Sequence, residues 1–220
     1  MGNWTLHWLD ATGDLSAWKD RITGQINDAY HAMSPFVRPS EMDVLIERGN
    51  ETVVPETGMS ANVTRANLAT LIFDPYNENF TRTLTSGLVQ RQMVNTAHRA
   101  MRAAGPGYGF TLGGAMVSEG LAGQFVRLVF DSPLEPWDCA FDDDQLSAQW
   151  PDQRSMMSPK FDHGEWFSGS GTRPRWLGYT MGTRIVENWL LSGADLSPER
   201  LISVPAPKVL NAVAVQSLVS

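Results

Sequence analysis

The feature that most constrains the fold is the order of strand-like and helix-like spacings of apolar residues along the chain. Apolar patterns typical of strands begin at Trp4, Asp43 and Leu68, with a further short one at Val53-Val54. One helical pattern, residues 14–33, interrupts them, and after residue 80 apolar residues recur mainly at helical spacing. Strand patterns followed by helical ones predict an α+β fold with a small N-terminal β-sheet and a helical region, rather than alternating βαβ units.

Two long helices dominate the predicted helical region. One covers about residues 81–103 and the other about residues 112–130, and the glycine-rich turn 105–109 separates them. The polar stretch 142–171 is predicted to be a long loop with at most short helices. Further helices are expected after Pro174 and from Ser197-Pro198, where serine at the N-cap and proline in the first turn are typical of a helix start. Without a repeat or a linker, we expect a single domain over residues 1–220.

Composition excludes several classes of function. The 220 residues carry a net charge of −7, and no basic stripe is present, so nucleic acid is not expected as a partner. No apolar stretch approaches the roughly 18 residues of a membrane span, and the N-terminus has no leader-like pattern, so we expect no membrane partner and a cytoplasmic location. The single cysteine, Cys139, rules out an internal disulfide.

Polar side chains that suggest chemistry lie on the two long helices. Asn95, His98 and Arg99 belong to the first helix, and Glu119 belongs to the second. Both helices carry apolar residues on more than one face, which predicts that they are largely buried. A buried carboxylate is costly unless it is paired, so Glu119 needs a partner, for which His98 and Arg99 are candidates.

Several segments resemble one bacterial family, the DUF2268 group of predicted zinc-dependent proteases. Their order and spacing carry the resemblance: Val54-Pro55-Glu56, Phe73-Asp74-Pro75, Gly105-Pro106-Gly107-Tyr108-Gly109, Ser118-Glu119-Gly120-Leu121-Ala122, Pro136-Trp137, Trp166-Phe167-Ser168-Gly169-Ser170-Gly171 and Gly178-Tyr179-Thr180-Met181-Gly182. The resemblance implies a zincin-like metalloprotease fold in which the helix of residues 81–103 is the former active-site helix.

The zinc motif of that family is degenerate in this chain. The family shows a His-Glu-x-His-His stretch, and alignment on the glycine-rich turn places Asn95 and Arg99 at the two zinc histidines and Thr96 at the catalytic glutamate. His98 corresponds to the family's extra histidine, and Glu119 corresponds to the third ligand. An intact motif holds zinc with two histidines one turn apart, and its glutamate takes a proton from the bound water.

The substituted residues cannot perform that chemistry. Asn95 offers only a weak amide oxygen, Arg99 has no lone pair, and Thr96 is no base near neutral pH. We therefore expect no metal cofactor, with zinc expected only if the motif is misassigned. We further expect the Arg99 guanidinium to take roughly the zinc position and to pair with Glu119.

The candidate site residues allow both functional and structural interpretations. His98 and Glu119 are the candidate catalytic residues, although His98 as a packing histidine and Glu119 as a structural partner are the plainer alternatives. Tyr108, His163 and Tyr179 are candidates for a cleft that binds a ligand. The leading hypothesis is a pseudo-protease that binds a peptide or a small molecule. The alternatives are a residual metallopeptidase, a metal-free acid–base enzyme using His98 and Glu119, or a zinc protease inactivated by design; whether the protein is an enzyme and its oligomeric state stay open.

Overall fold

A computed structural model describes residues 4–194 and 196–216, and the chain forms two compact units, Met1–Ala103 and Ala104–Ser220. The first unit contains the strands and the helices that accompany them, with the last residue of α3 falling in the second unit: β1 (Thr5–Leu9), a 3-10 turn (Ser16–Trp18), α1 (Lys19–Met33), β2 (Asp43–Arg48), β3 (Met59–Arg65), β4 (Leu68–Phe73), α2 (Phe80–Thr83) and α3 (Leu88–Ala104). The second unit is helical: α4 (Leu112–Phe130), α5 (Asp143–Gln149), α6 (Gln153–Met156), a π-helical turn (Gly164–Ser168), α7 (Leu177–Leu191), α8 (Pro198–Ser203) and α9 (Ala206–Gln216). The four strands form one small sheet and most of the helical residues follow it in the chain, which confirms the α+β class. The single domain and the zincin-like fold stay predictions.

The sheet of the first unit has the strand order β1-β2-β4-β3. β1, β2 and β4 run parallel, and β3 pairs antiparallel with β4 at the edge. Val44 and Ile46 of the central strand β2 are fully buried, as are Ala69 and Leu71, their partners on β4. These buried apolar positions therefore lie in the middle of the sheet, where both neighbours complete the backbone hydrogen bonds.

Helix α1 contributes an apolar stripe to the core of the first unit. Ile22, Ile26, Ala29 and Met33 are fully buried and are spaced three or four residues apart, so they share one face. The opposite face carries exposed residues such as Asp28. Because α1 connects the parallel strands β1 and β2, the first unit contains one βαβ crossover, a feature that the sequence interpretation did not include.

The second unit is organised by close packing of α4 against α7. Every residue from Leu112 to Val126 is buried. A Cβ added at Gly120 would overlap the carbonyl oxygen of Gly182, and one added at Gly182 would overlap that of Met116. The two helices can approach so closely only because both positions are glycine.

The structure corrects three predictions. The helix predicted over about residues 81–103 is interrupted, since α2 ends at Thr83, Gly87 takes a φ of +73°, and α3 begins at Leu88. The sequence interpretation missed β3, whose polar residues lie at an exposed edge. Val54 makes one isolated bridge to Met59 instead of a strand.

Most other element predictions are confirmed. α4 covers the predicted residues 112–130, the stretch 142–171 has only short helices, and α8 begins at Pro198. α7 begins at Leu177, three residues after Pro174. Within the described part of the chain, no helix combines the length and apolarity that crossing a bilayer requires.

Candidate functional site

Helix α3 carries the positions that the sequence analysis assigned to the zinc motif of the resembling family. Asn95 and Arg99, one turn apart, are both half-buried on the same face of the helix. Thr96 is buried, and its hydroxyl donates to the Gln92 carbonyl oxygen at 2.7 Å. The side chain that the sequence analysis placed at the catalytic glutamate is thus hydrogen-bonded to its own helix.

Two further polar residues of α3 are buried. His98 has no exposed surface, so neither solvent nor substrate reaches it in this conformation, which favours the packing interpretation over the catalytic one. Arg102 is 1% exposed, and burial lowers the pKa of its guanidinium to about 10. Even at that value Arg102 is a cation near neutral pH.

The glycine-rich turn before α4 determines where Tyr108 lies. Gly107 and Gly109 have φ angles of +87° and +105°, which side-chain-bearing residues rarely adopt. A Cβ at Gly109 would stand 2.6 Å from the carbonyl carbon of Gly114. The Tyr108 carbonyl oxygen accepts a 2.5 Å hydrogen bond from the Ser118 hydroxyl, which fixes the tyrosine backbone against α4.

Tyr108 brings together three residues that the sequence analysis selected. Its hydroxyl donates to Glu119 Oε1 at 2.6 Å and lies 2.9 Å from His163 Nε2. Because the phenolic proton goes to the carboxylate, the tyrosine oxygen acts as acceptor toward the imidazole, and Nε2 of His163 carries a hydrogen in this arrangement. Glu119 is 3% exposed, whereas His163 lies at the surface. Carboxylate, phenol and imidazole therefore form a chain from the interior of the second unit to solvent.

Aromatic contacts connect His163 to Tyr179. The imidazole stacks on Phe167 with ring centroids 4.3 Å apart and an angle of 20°. Phe167 meets Tyr179 edge-on at 5.0 Å. Gly178 makes room for the phenylalanine ring, since a Cβ there would stand 2.8 Å from it. We call Tyr108, Glu119, His163, Phe167 and Tyr179 the tyrosine cluster.

The sequence analysis did not select Phe167 or Asp138. Phe167 occurs in a segment that carries the family resemblance, but nothing in its apolar side chain marks it as functional. Asp138 follows Pro136-Trp137 and is 5% exposed, and its Oδ2 would lie 3.2 Å from a Cβ at Gly123. Burial raises the pKa of the Asp138 carboxyl well above its usual value, and the nearby Glu119 and Glu135 raise it further. The Asp138 carboxyl thus holds its proton more tightly than an exposed aspartic acid does, in the same region of the second unit as Glu119.

A comparison with known protein families shows which family the chain belongs to. The family model described as "Predicted Zn-dependent protease (DUF2268)" matches residues 22–211. The chain belongs to the DUF2268 family. The match runs from α1 to α9 and includes every residue of the tyrosine cluster. No curated protein and no solved structure matches the chain.

The family description implies zinc, and the residues that the sequence analysis assigned to the zinc motif do not have the donor chemistry of such a site. Among the residues that the structure describes, no three His, Cys, Asp or Glu side chains are grouped so that they could hold a metal ion. The motif positions on α3 offer an amide, a hydroxyl and a guanidinium, and catalytic zinc requires three protein ligands with nitrogen, sulfur or carboxylate donors. We therefore derive no chemical step from a zinc ion.

Proposed function

We propose that this DUF2268 member is a pseudo-protease without zinc, which binds a peptide or a small polar ligand at the tyrosine cluster. The observation that carries the proposal is the Tyr108 hydroxyl, hydrogen-bonded between Glu119 and His163. Because Glu119 takes its proton and His163 occupies one lone pair, the hydroxyl oxygen is held in a fixed position before a ligand binds.

The residues of α3 support the loss of zinc chemistry. Asn95 and Arg99 occupy one helix face at the spacing of zinc histidines, yet neither supplies an imidazole. The hydroxyl of Thr96 is engaged by its own helix, so it does not activate a water molecule. A guanidinium in that face also repels a dication electrostatically.

The neighbouring aromatic rings support ligand binding. Stacked His163 and Phe167, with Tyr179 edge-on, combine apolar faces with polar edges. Such surfaces bind ligands at a low cost in side-chain entropy, because each ring has few rotatable bonds. Peptide groups offer the donors and acceptors that the phenol and imidazole recognise.

A second candidate function is metal-free acid–base catalysis. The specific observation in its favour is the chain from Glu119 through Tyr108 to His163, in which a carboxylate orients a phenol that contacts an imidazole. Such chains fix the tautomer of a histidine. Catalysis would then use His163 together with Glu119, whereas the buried His98 is the less accessible of the two histidines.

Metal analysis tests the loss of zinc. We expect substoichiometric zinc in the purified protein, even after incubation with zinc and removal of the excess. The triple variant Asn95→His, Thr96→Glu and Arg99→His restores the motif and should bind about one zinc ion under the same treatment. Stoichiometric zinc in the unmodified protein would refute the proposal. Failure of the restored variant would instead show that these three positions are misaligned.

Ligand capture tests the tyrosine cluster. A peptide library is selected on the immobilised protein and the recovered peptides are compared with those from Tyr108→Phe. We expect enrichment that depends on the Tyr108 hydroxyl. Tyr76→Phe is the matched control, since Tyr76 donates to Asp14 outside the cluster and its variant should recover the same peptides as the unmodified protein. Identical recovery from all three proteins would contradict binding at the cluster.

A further inference from the structure

A polar groove lies wholly within the first unit and is independent of the function proposed above. Arg21, Gly24, Gln25 and Asp28 of α1 form one side, and Leu84 and Gln90 lie on the other; we call it the α1 groove. Its volume is about 540 Å³, within the range of small-ligand sites. Asp28 accepts a 3.1 Å hydrogen bond from Gln90 Nε2, which joins the two sides at one end.

The floor of the groove contains a buried amide with an unmet acceptor. Gln25 is 9% exposed, and its Nε2 donates to the Leu84 carbonyl oxygen at 2.7 Å. Its Oε1 has no hydrogen-bond partner among the residues that the structure describes. A buried acceptor without a donor is costly, so a ligand that supplies an N–H group would stabilise this position.

Gly24 leaves open space in the same wall. A Cβ added there would have no atom within 4 Å, so the space beside Gly24 is open. Glycine inside a helix is unfavourable relative to alanine, yet here it occupies the middle of α1. The missing side chain keeps the groove accessible beside the amide of Gln25.

The two ends of this wall carry opposite charges. Arg21 and Asp28 are seven residues apart on α1, so they share a face and are separated by about 10 Å along the axis. Within the described residues, Arg21 makes no ion pair, and its guanidinium is available to an anion. The wall thus presents a cation, an open gap, a neutral amide acceptor and an anion in order along the helix.

We propose that the α1 groove binds a short peptide with free termini, about three residues long. An extended peptide spans at most about 3.3–3.6 Å per residue, so three residues cover the distance between the two charges. The terminal carboxylate pairs with Arg21, the terminal ammonium pairs with Asp28, and an N–H group of the peptide donates to Gln25 Oε1. The site is distinct from the tyrosine cluster, which belongs to the second unit.

A titration of the full chain with triglycine, monitored by two-dimensional NMR, tests the proposal. We expect saturable shifts at the backbone amides of Gly24, Gln25 and Thr85. Triglycine acetylated and amidated at its ends should bind about fivefold more weakly or not at all, as the loss of exposed ion pairs predicts. Equal affinity of free and blocked triglycine, or no saturable shift at these amides, would overturn the proposal.

Variants of the groove provide the matched comparison. Gly24→Leu fills the open space and should abolish the saturable shifts, and its unchanged spectrum elsewhere shows that it folds. Arg21→Gln and Asp28→Asn should each weaken binding about fivefold. Asp20→Asn makes the same charge change as Asp28→Asn on an exposed position of α1 outside the groove, and should leave binding unchanged. Undiminished binding by both Gly24→Leu and Arg21→Gln would place the peptide elsewhere.

Discussion

Two tyrosines of this chain donate hydrogen bonds to carboxylates in different surroundings. Tyr108 bonds to Glu119, which is almost fully buried, whereas Tyr76 is 71% exposed and bonds to Asp14. A hydrogen bond to a desolvated carboxylate contributes more than one that competes with water. The Tyr108 hydroxyl therefore has a structural effect as well as its proposed role in binding.

Removing each tyrosine hydroxyl compares directly how much the two hydrogen bonds contribute to stability. Tyr108→Phe should lower the free energy of unfolding by about 1–2 kcal/mol, because Glu119 loses a charge-assisted hydrogen bond and His163 loses an acceptor. Urea titration followed by tryptophan fluorescence measures the change. Tyr76→Phe should leave the midpoint nearly unchanged. Equal effects of the two variants would show that burial of Glu119 does not strengthen its bond to Tyr108.

Asp138 predicts a dependence of stability on pH. Because its folded-state pKa is raised, the native chain keeps a proton that the unfolded chain releases above about pH 4. The native state then binds more protons, so this residue makes stability fall as pH rises toward the folded-state pKa. Asp138→Asn removes that loss. Urea titrations should show the variant gaining stability relative to the unmodified protein as pH rises above about 4, and a pH-independent difference would contradict the assignment.

The sequence predicted some residues of the candidate site, but not their contacts. Tyr108 lies in the glycine-rich turn and Glu119 lies on α4, which follows it, so their proximity follows from local geometry. His163 is 55 residues from Tyr108, and its hydrogen bond depends on how the loop after α6 returns to the turn. Asp138 gave no signal, because its burial results from packing around Gly123, which sequence patterns do not reveal.

At the scale of elements, helical glycines have opposite effects in the two units. Gly120 of α4 and Gly182 of α7 stand at a helix contact where each Cβ would meet a carbonyl oxygen, whereas Gly24 of α1 faces open space. Gly120→Ala should lower the free energy of unfolding by about 3 kcal/mol, since overpacking forces the helices apart. Gly24→Ala should raise it by about 0.5–1 kcal/mol. Thermal and urea unfolding measure both; two changes of the same sign would contradict the packing described here.

Elements with a buried periodic face were predictable, and those without one were not. Residues 112–130 carry apolar residues on more than one face, and α4 has these bounds. β3 carries serine, asparagine, threonine and arginine at an edge, so pairing with β4 rather than hydrophobic patterning makes it a strand. The break between α2 and α3 depends on the left-handed conformation of Gly87, which the surrounding helical repeat concealed.

At the scale of the whole molecule, the sequence analysis predicts that an arginine side chain takes the place of the zinc ion. This prediction involves residues of both units. We expect Arg99 to pair with Glu119. Helix α3 also carries Arg102, which is buried. With this pairing, Arg99→Leu should lower the free energy of unfolding by about 3–5 kcal/mol, because a buried charge loses its partner. Destabilisation alone does not identify the partner, so the pair requires a double-mutant cycle with Glu119→Gln.

The cycle separates pairing from packing because a packing loss is the same in both backgrounds. We expect a coupling energy between Arg99 and Glu119 of at least about 1 kcal/mol, with Arg99→Leu costing less once Glu119 is neutral. The parallel cycle with Arg102→Leu shows whether the other guanidinium fulfils this role. Coupling of Glu119 to Arg102 alone would show that Arg102, one turn further along α3, is the cation that replaces the metal. Coupling to neither would leave the family's third ligand without a cation from this helix, and the electrostatic explanation for the lost zinc motif would fail.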